Sequence, residues 1–246
     1  KVELNKDVEV TEPLEVPSGV ELSVPEDKKL SIGENGKLSV DEGAELSVEE
    51  GGSVEVKPEG TLDNNGTVSV GEGGSLDNNG TVNNNEGGTL KNDGTVNNNN
   101  VVNNNEGGKL ENSGDLNNNS SLKNDGELEN KGTVSNNENG NLENNGTIDN
   151  KENAEINNGG NFNNNAGSTL NNESGAEIGG SQPISNGGDI NNDGNIKTTV
   201  DNTEDGKVDA EVTWTDKDGN EHSGSLKDVL EYLKENPEEA SGAKVE

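Results

Sequence analysis

Leu76 to Asn100 read LDNNGTVNNNEGGTLKNDGTVNNNN. A lone Leu or Val recurs every six or eight residues (Leu76, Val82, Leu90, Val96), and the residue two places after it is Asn each time: Asn78, Asn84, Asn92, Asn98. A spacing of two is the period of a β-strand, and the Gly-containing gaps are turn signals. The stretch reads as very short strands separated by corners. Each strand offers one aliphatic and one Asn to the same side.

The chain upstream shows what the Asn replaces. There the aliphatics come in pairs two apart: Leu22/Val24, Leu30/Ile32, Leu38/Val40, Leu46/Val48 and Val54/Val56. From Leu62 the second member becomes Asn, at Asn64 and then at Asn112, Asn118, Asn124 and Asn144 among others, while Val68/Val70 keeps the earlier form. An Asn at an interior position is costly alone. In a stack it is not, because each amide both donates to and accepts from its neighbours. Asn64, Asn78, Asn84, Asn92, Asn98, Asn112, Asn118, Asn124 and Asn144 are therefore expected to form a structural ladder.

Strands this short, joined by corners too short for crossover helices, predict an all-β parallel solenoid in which each coil pairs with the next. We expect a right-handed, three-sided β-helix of roughly ten coils and roughly 50 Å length. Asn-Gly and Asp-Gly at the corners suggest a left-handed backbone there. The eight-residue steps do not recur at every third strand. Either corner length varies from coil to coil, or the coil has two sides and about fourteen residues; three sides is the expectation.

The solenoid is assigned to residues 1–199, with aliphatic pairs over 1–60 and Asn steps over 61–199. Residues 200–246 differ. VDAEVTWTDKDGNEHSGSL reads as a β-hairpin. In SLKDVLEYLKENPEEA, Ser225 and Asp228 form a capping box, Leu226, Val229, Leu230 and Leu233 share a helical face, and Pro237 stops the helix. Trp214 and Tyr232 are expected to pack on that face. The unit would cap the solenoid, whose end strands expose unpaired edges, or connect subunits.

Composition narrows the function. Only 23% of the 246 residues are hydrophobic and 1% aromatic, and the net charge is -33. Such a composition would ordinarily predict disorder; regular placement of the few aliphatics argues against it. All basic residues are Lys, so no basic patch for nucleic acid is expected. No long apolar run predicts membrane insertion. Cys is absent, which excludes disulfides and thiolate metal sites. A start at Lys1 without Met or a signal-like segment suits a processed secreted chain or an excised part of a longer one.

Candidate chemistry is sparse. Catalytic carboxylates need burial or a charge partner; pairs such as Glu49/Glu50 fall in turns and read as solvated. His222 is the only histidine, so a His-based zinc site or triad within one chain is excluded. Asp216, Asp218 and Asn220 resemble the start of a calcium loop but lack its distal Glu. A hairpin turn explains them better, and calcium is expected at most as a loosely bound counter-ion. N-x-[ST] sequons at Asn65, Asn79, Asn118, Asn119, Asn145 and Asn172 arise mostly from the NGT corner itself.

TEPLEVPSGVELSV, the NNGT steps and the SLKDVLEYLKENPEEA segment resemble the pectate-lyase-like parallel β-helix stalks of secreted bacterial and archaeal repetitive surface proteins and adhesins. In those stalks a hairpin and a short helix precede the first coil; here the same unit stands at the C-terminus. Reading GAKVE into KVELNKDVEV joins the two ends sensibly. The resemblance thus implies one repeat of an array, or subunits joined head to tail into filaments. Related folds include polysaccharide lyases, which use Asp-bound calcium and a basic residue in a groove; this chain has no Arg and no groove-forming loops. The expected function is structural and non-enzymatic: an extracellular or cell-surface fibre, stalk or layer element, in possible contact with cell surface or matrix. The alternatives are an engineered solenoid scaffold and a cell-surface adhesin or glycan-binding module. Ice binding would want a Thr-x-Thr face, which is absent.

Overall fold

A computed structural model describes residues 1–203, 205–215, 221–225, 232–234 and 236. The chain winds into three parallel sheets, each strand pairing with the strands three places before and after it. The first face starts with Val2–Glu3 and Glu21–Val24 and runs to Lys207–Thr215. The second runs from Val8–Val10 to Asn195–Ile196, and the third from Pro13–Val16 to Val200–Asn202. Three sides are thus observed, in about ten turns.

The register explains the irregular step length. On the first face Leu22 stacks on Leu46, Leu46 on Val68, Val68 on Leu90, Leu90 on Leu110 and Leu110 on Leu128. The coil from Leu22 to Leu46 is 24 residues, or three eights; the coil from Leu110 to Leu128 is 18, or three sixes. Coils of 20 and 22 mix the two, as between Leu90 and Leu110 and between Val68 and Leu90. Corner length therefore varies from coil to coil while the strands stay in register. The extra two residues bulge outward at one corner and leave the sheets undisturbed.

Within most strands the first and third residues face out and the second and fourth are buried. The second position supplies a single file of aliphatics per face, such as Leu62, Leu76, Leu110 and Ile148, all at most 1% exposed. The fourth position supplies Val24, Ile32, Val40, Val48, Val56 and Val70 in the early coils and Asn afterwards. Every interior Asn from Asn64 to Asn172 is at most 1% exposed.

Three amide ladders result. On the third face the Nδ2 of Asn64 donates to Asn84 Oδ1, Asn84 to Asn104, Asn104 to Asn124, Asn124 to Asn144 and Asn144 to Asn164. The second face carries Asn78, Asn98, Asn118, Asn136 and Asn158. The first carries Asn92, Asn112, Asn130, Asn150, Asn172 and Asn192. The other Nδ2 proton goes to a backbone carbonyl at the next corner: Asn64 to Thr89 O at 2.9 Å, Asn98 to Ser121 O at 2.7 Å. At the head of each ladder no amide stands above to donate. There the oxygens of Asn64, Asn78 and Asn92 accept the N–H of Gly66, Gly80 and Gly94 of their own corners. Aliphatics sit directly above these heads, at Val40, Val56 and Val70. The change from aliphatic to amide interior thus leaves no amide group unpaired.

One expectation about the corners is corrected. The left-handed backbone belongs to most of the four-residue corners, at their third residue: Gly43, Gly51, Gly73, Gly87 and Gly107, and also Asp27, Asn35, Glu59 and Asn153; in corner 180–183 it falls on the first residue, Gly180. The Gly of the two-residue Asn-Gly corner is not left-handed. It is needed because the coil above passes too close: a Cβ on Gly66 would lie 2.2 Å from Asp41 O. Asn100 and Ser120 take the equivalent place in two coils.

At the C-terminal end, Lys207–Thr215 first continues the solenoid, with Lys207 to Ala210 parallel to Asp189–Asn192. It then pairs antiparallel with Glu221–Ser225, Trp214 opposite His222. Residues 232–234 are helical, and Leu233 is half-buried. Leu226, Val229 and Leu230, assigned to the apolar helical face, lie outside the described residues, as do Asp216, Asp218 and Asn220 at the proposed turn.

A substitution inside a ladder should be severe. Asn124→Leu strands the amide of Asn104, the oxygen of Asn144 and Thr147 O, which Asn124 now satisfies. At about 1–3 kcal/mol per unsatisfied buried group, a loss of at least about 3 kcal/mol is expected in urea unfolding. Asn124→Asp should be worse at neutral pH, because the carboxylate can only accept and would face two acceptors. Burial raises its folded pKa, so the penalty is present above that pKa and is relieved as pH falls through it. Recovery of N124D, but not of N124L, in acid checks both.

Candidate functional site

The outer surface is built from the first and third strand residues and the corner tips, so any site must be assembled from these rows. Several rows are again amide ladders. Asn103 donates to Asn83 and Asn83 to Asp63 on the third face. Asn117 donates to Asn97 and Asn97 to Asp77 on the second. Asn191 donates to Asn171 and Asn171 to Asp149 on the first. A corner row runs from Asn165 through Asn145 to Asp125. All four start on an Asp, which accepts but cannot donate. The outer rows donate toward the N-terminal end, whereas the interior ladders donate toward the C-terminal end.

Lys side chains tie coils together between these rows. Lys29 reaches Glu55 at 2.6 Å and Lys37 reaches Asp63 at 2.6 Å, each across one coil step. On the first face Lys109 contacts Glu111 at 2.8 Å, Glu129 at 3.4 Å and Glu127 at 3.5 Å, and Lys131 also contacts Glu129. The Lys131 ammonium, with help from Lys109, holds the Glu129 carboxyl below the usual glutamate range. Glu111 and its neighbours hold the Lys109 ammonium well above the usual lysine range. These are structural pairings on a solvated face. They poise no group near neutrality for acid–base chemistry.

The candidate residues from the sequence fall in different places. The ladder Asn residues are interior and fully bonded, so they are framework rather than a ligand-facing site. Among the described residues no group of three or more His, Cys, Asp or Glu side chains surrounds a common point that could hold a metal ion. His222 sits in the terminal hairpin opposite Trp214. Of the sequons, Asn118 and Asn172 are buried, whereas Asn65, Asn79, Asn119 and Asn145 lie on corners. No helix among the described residues is long and apolar enough to cross a membrane.

Surface pairs and interior amides should separate cleanly by pH. The depressed pKa of Glu129 means its pairing stabilises above the unfolded carboxylate pKa and is lost as pH falls through the folded one. Glu129→Gln should therefore cost no more than about 1 kcal/mol at pH 7, and the difference from wild type should vanish once both side chains are uncharged in acid. Urea midpoints at the two pH values check this.

No protein-family model matches this chain, and no curated protein matches it. Among solved structures it is similar to the TibC-catalysed hyper-glycosylated fragment 55–350 of TibA, at 15% identity over 85% of this chain and 90% of that one, with a TM-score of 0.37.

Proposed function

We propose that this chain is a structural rod, a stalk, spacer or fibre element at a cell surface or outside the cell, with no catalytic activity. The observation that carries this reading is continuity. Three sheets run the length of the solenoid with every coil in register, and the interior is filled and hydrogen-bonded throughout. Corners of two or four residues between successive strands raise no long loops, and deviations from these lengths come only near the C-terminal end. Such a body transmits length and stiffness along its axis. Its -33 charge keeps rods apart in dilute salt and makes divalent cations its natural loose counter-ions.

Assembly head to tail extends this reading. Among the described residues the first coil leaves one edge of Val2–Glu3, Val8–Val10 and Pro13–Val16 without a strand partner, with Val2 54% and Leu14 46% exposed. The ladder position there is aliphatic, at Val10 and Val16, whereas at the far end it is Asn202 on the third face and, after Asn192, Ala210 on the first. Direct stacking would oppose the Asn202 amide of the third face to the aliphatic Val16 of the next copy. The hairpin and helix following Asn202 supply an intervening unit, so the joint we propose runs from that unit to the first coil of the next copy.

Negative-stain microscopy and small-angle scattering of the full chain, with and without calcium, test both parts. Single rods roughly 50 Å long from ten coils, joined end to end at high concentration, are expected. Strictly monomeric rods under all conditions would remove head-to-tail assembly but leave the rod. A flexible chain of random-coil dimensions would remove the rod itself.

A further inference from the structure

Two outer amide rows stop together at one place. On the second face the row Asp77–Asn97–Asn117 ends because the next two register positions are Ser135 and Asn157. At the adjoining corner the row Asn79–Asn99–Asn119–Asn137, with contacts of 3.1, 2.9 and 2.7 Å, ends because the next residue is Gly159. Corner length changes here too. The two-residue corner Gly159–Gly160 lies between the four-residue corners 137–140 and 180–183. A short corner between two bulging ones, with no side chain to fill it, leaves a notch of about 430 Å³. Its walls are two coil steps apart, roughly 10 Å.

The notch is polar and open to solvent. Ser135, Glu138, Asn157, Ser181 and Gln182 line it, and none of these side chains has a hydrogen bond or ion pair among the described residues. Comparable short corners are closed. Asn65 fills the one between corners 41–44 and 85–88 by accepting from Asn85 at 2.9 Å. The Gly187–Gly188 corner is covered by Thr203, whose Oγ1 would lie 3.1 Å from a Cβ on Gly187. At Gly159 a Cβ would meet only backbone, at 3.4 Å or more, and its φ is not left-handed. Gly159 is therefore free to be another residue, whereas Gly160 is not, since a Cβ there would lie 2.3 Å from two carbonyls.

We propose that this notch is a binding site for a neutral polyhydroxylated ligand, a pyranose sugar or a sugar unit of a glycan. The lining offers amide and hydroxyl donors and acceptors plus one carboxylate acceptor, which suits a ring of hydroxyls. It contains no Lys to hold an anion, and a single carboxylate is too few for a divalent cation. The size matches one ring entering edge-on between the two bulging corners.

Saturation-transfer and ¹H–¹⁵N NMR on the full chain test this with glucose, galactose, N-acetylglucosamine, glucuronate and calcium as probes. At least one neutral sugar should bind with a Kd of about 1–10 mM, moving the amides of Ser135, Glu138, Asn157, Ser181 and Gln182, and glucuronate should bind more weakly. Gly159→Asn restores the corner row and fills the notch, so it should weaken binding at least about tenfold without lowering the urea midpoint. Ser135→Trp, a second filler placed on the outer surface, should do the same. The proposal is overturned if no neutral sugar moves these amides at about 50 mM, if both filled variants bind as wild type does, or if calcium alone moves them.

Discussion

The structure depends on a primary amide that is both donor and acceptor, repeated at one coil step. An interior Asn such as Asn84 accepts from Asn64, donates to Asn104 and gives its second proton to Lys109 O. Nothing is left over. That arrangement exists only if strands are parallel and in register, because a one-residue slip would turn every Asn outward. The ladder is thus both a stabilising element and a register lock. It also resolves how a chain only 23% hydrophobic builds a core. The core is one aliphatic wide per face, and the remaining interior volume is filled by groups that would be costly anywhere else.

Direction follows from the same chemistry. An amide ladder has an acceptor end and a donor end, so each must be terminated by something of the right kind. Interior ladders begin beneath valines and spend their first oxygen on a corner Gly N–H. Outer rows run the other way, and four of them begin on Asp63, Asp77, Asp125 or Asp149, which carry no N–H and so need no further acceptor. Residue choice at these terminations looks irregular in the sequence and is regular in space. The lone Asp in a run of Asn marks the foot of a row, and a Gly-Gly in place of Asn-Gly marks where a row stops.

Much of this is legible in the amino-acid sequence. The interior role of Asn78, Asn84, Asn92 and Asn98 follows from the two-residue spacing and from the valines they replace upstream. The steps alone do not decide between three sides and two, because six- and eight-residue steps carry the same strand and differ only in the corner. Which corner bulges is a coil-level property, visible only when strands three apart are aligned, as at Leu90, Leu110 and Leu128. The Asn-Gly corner misleads for a related reason. Local propensity points to a left-handed turn, but the deciding contact is Asp41 O of the preceding coil, 25 residues away from Gly66 in sequence (66 minus 41). At Gly159 the local sequence shows only the missing Asn, since the notch itself arises from a short corner lying between two longer ones.

The central claim is that the interior amides are locked, and side-chain amide hydrogen exchange measures it directly. The Nδ2 protons of Asn84, Asn98 and Asn124 should exchange at least about a thousandfold more slowly than those of exposed Asn5, because release requires opening of the coils. Exchange of the interior amides at the rate of Asn5 would mean that the ladders do not exist in solution, and the account of the fold built on them would fall.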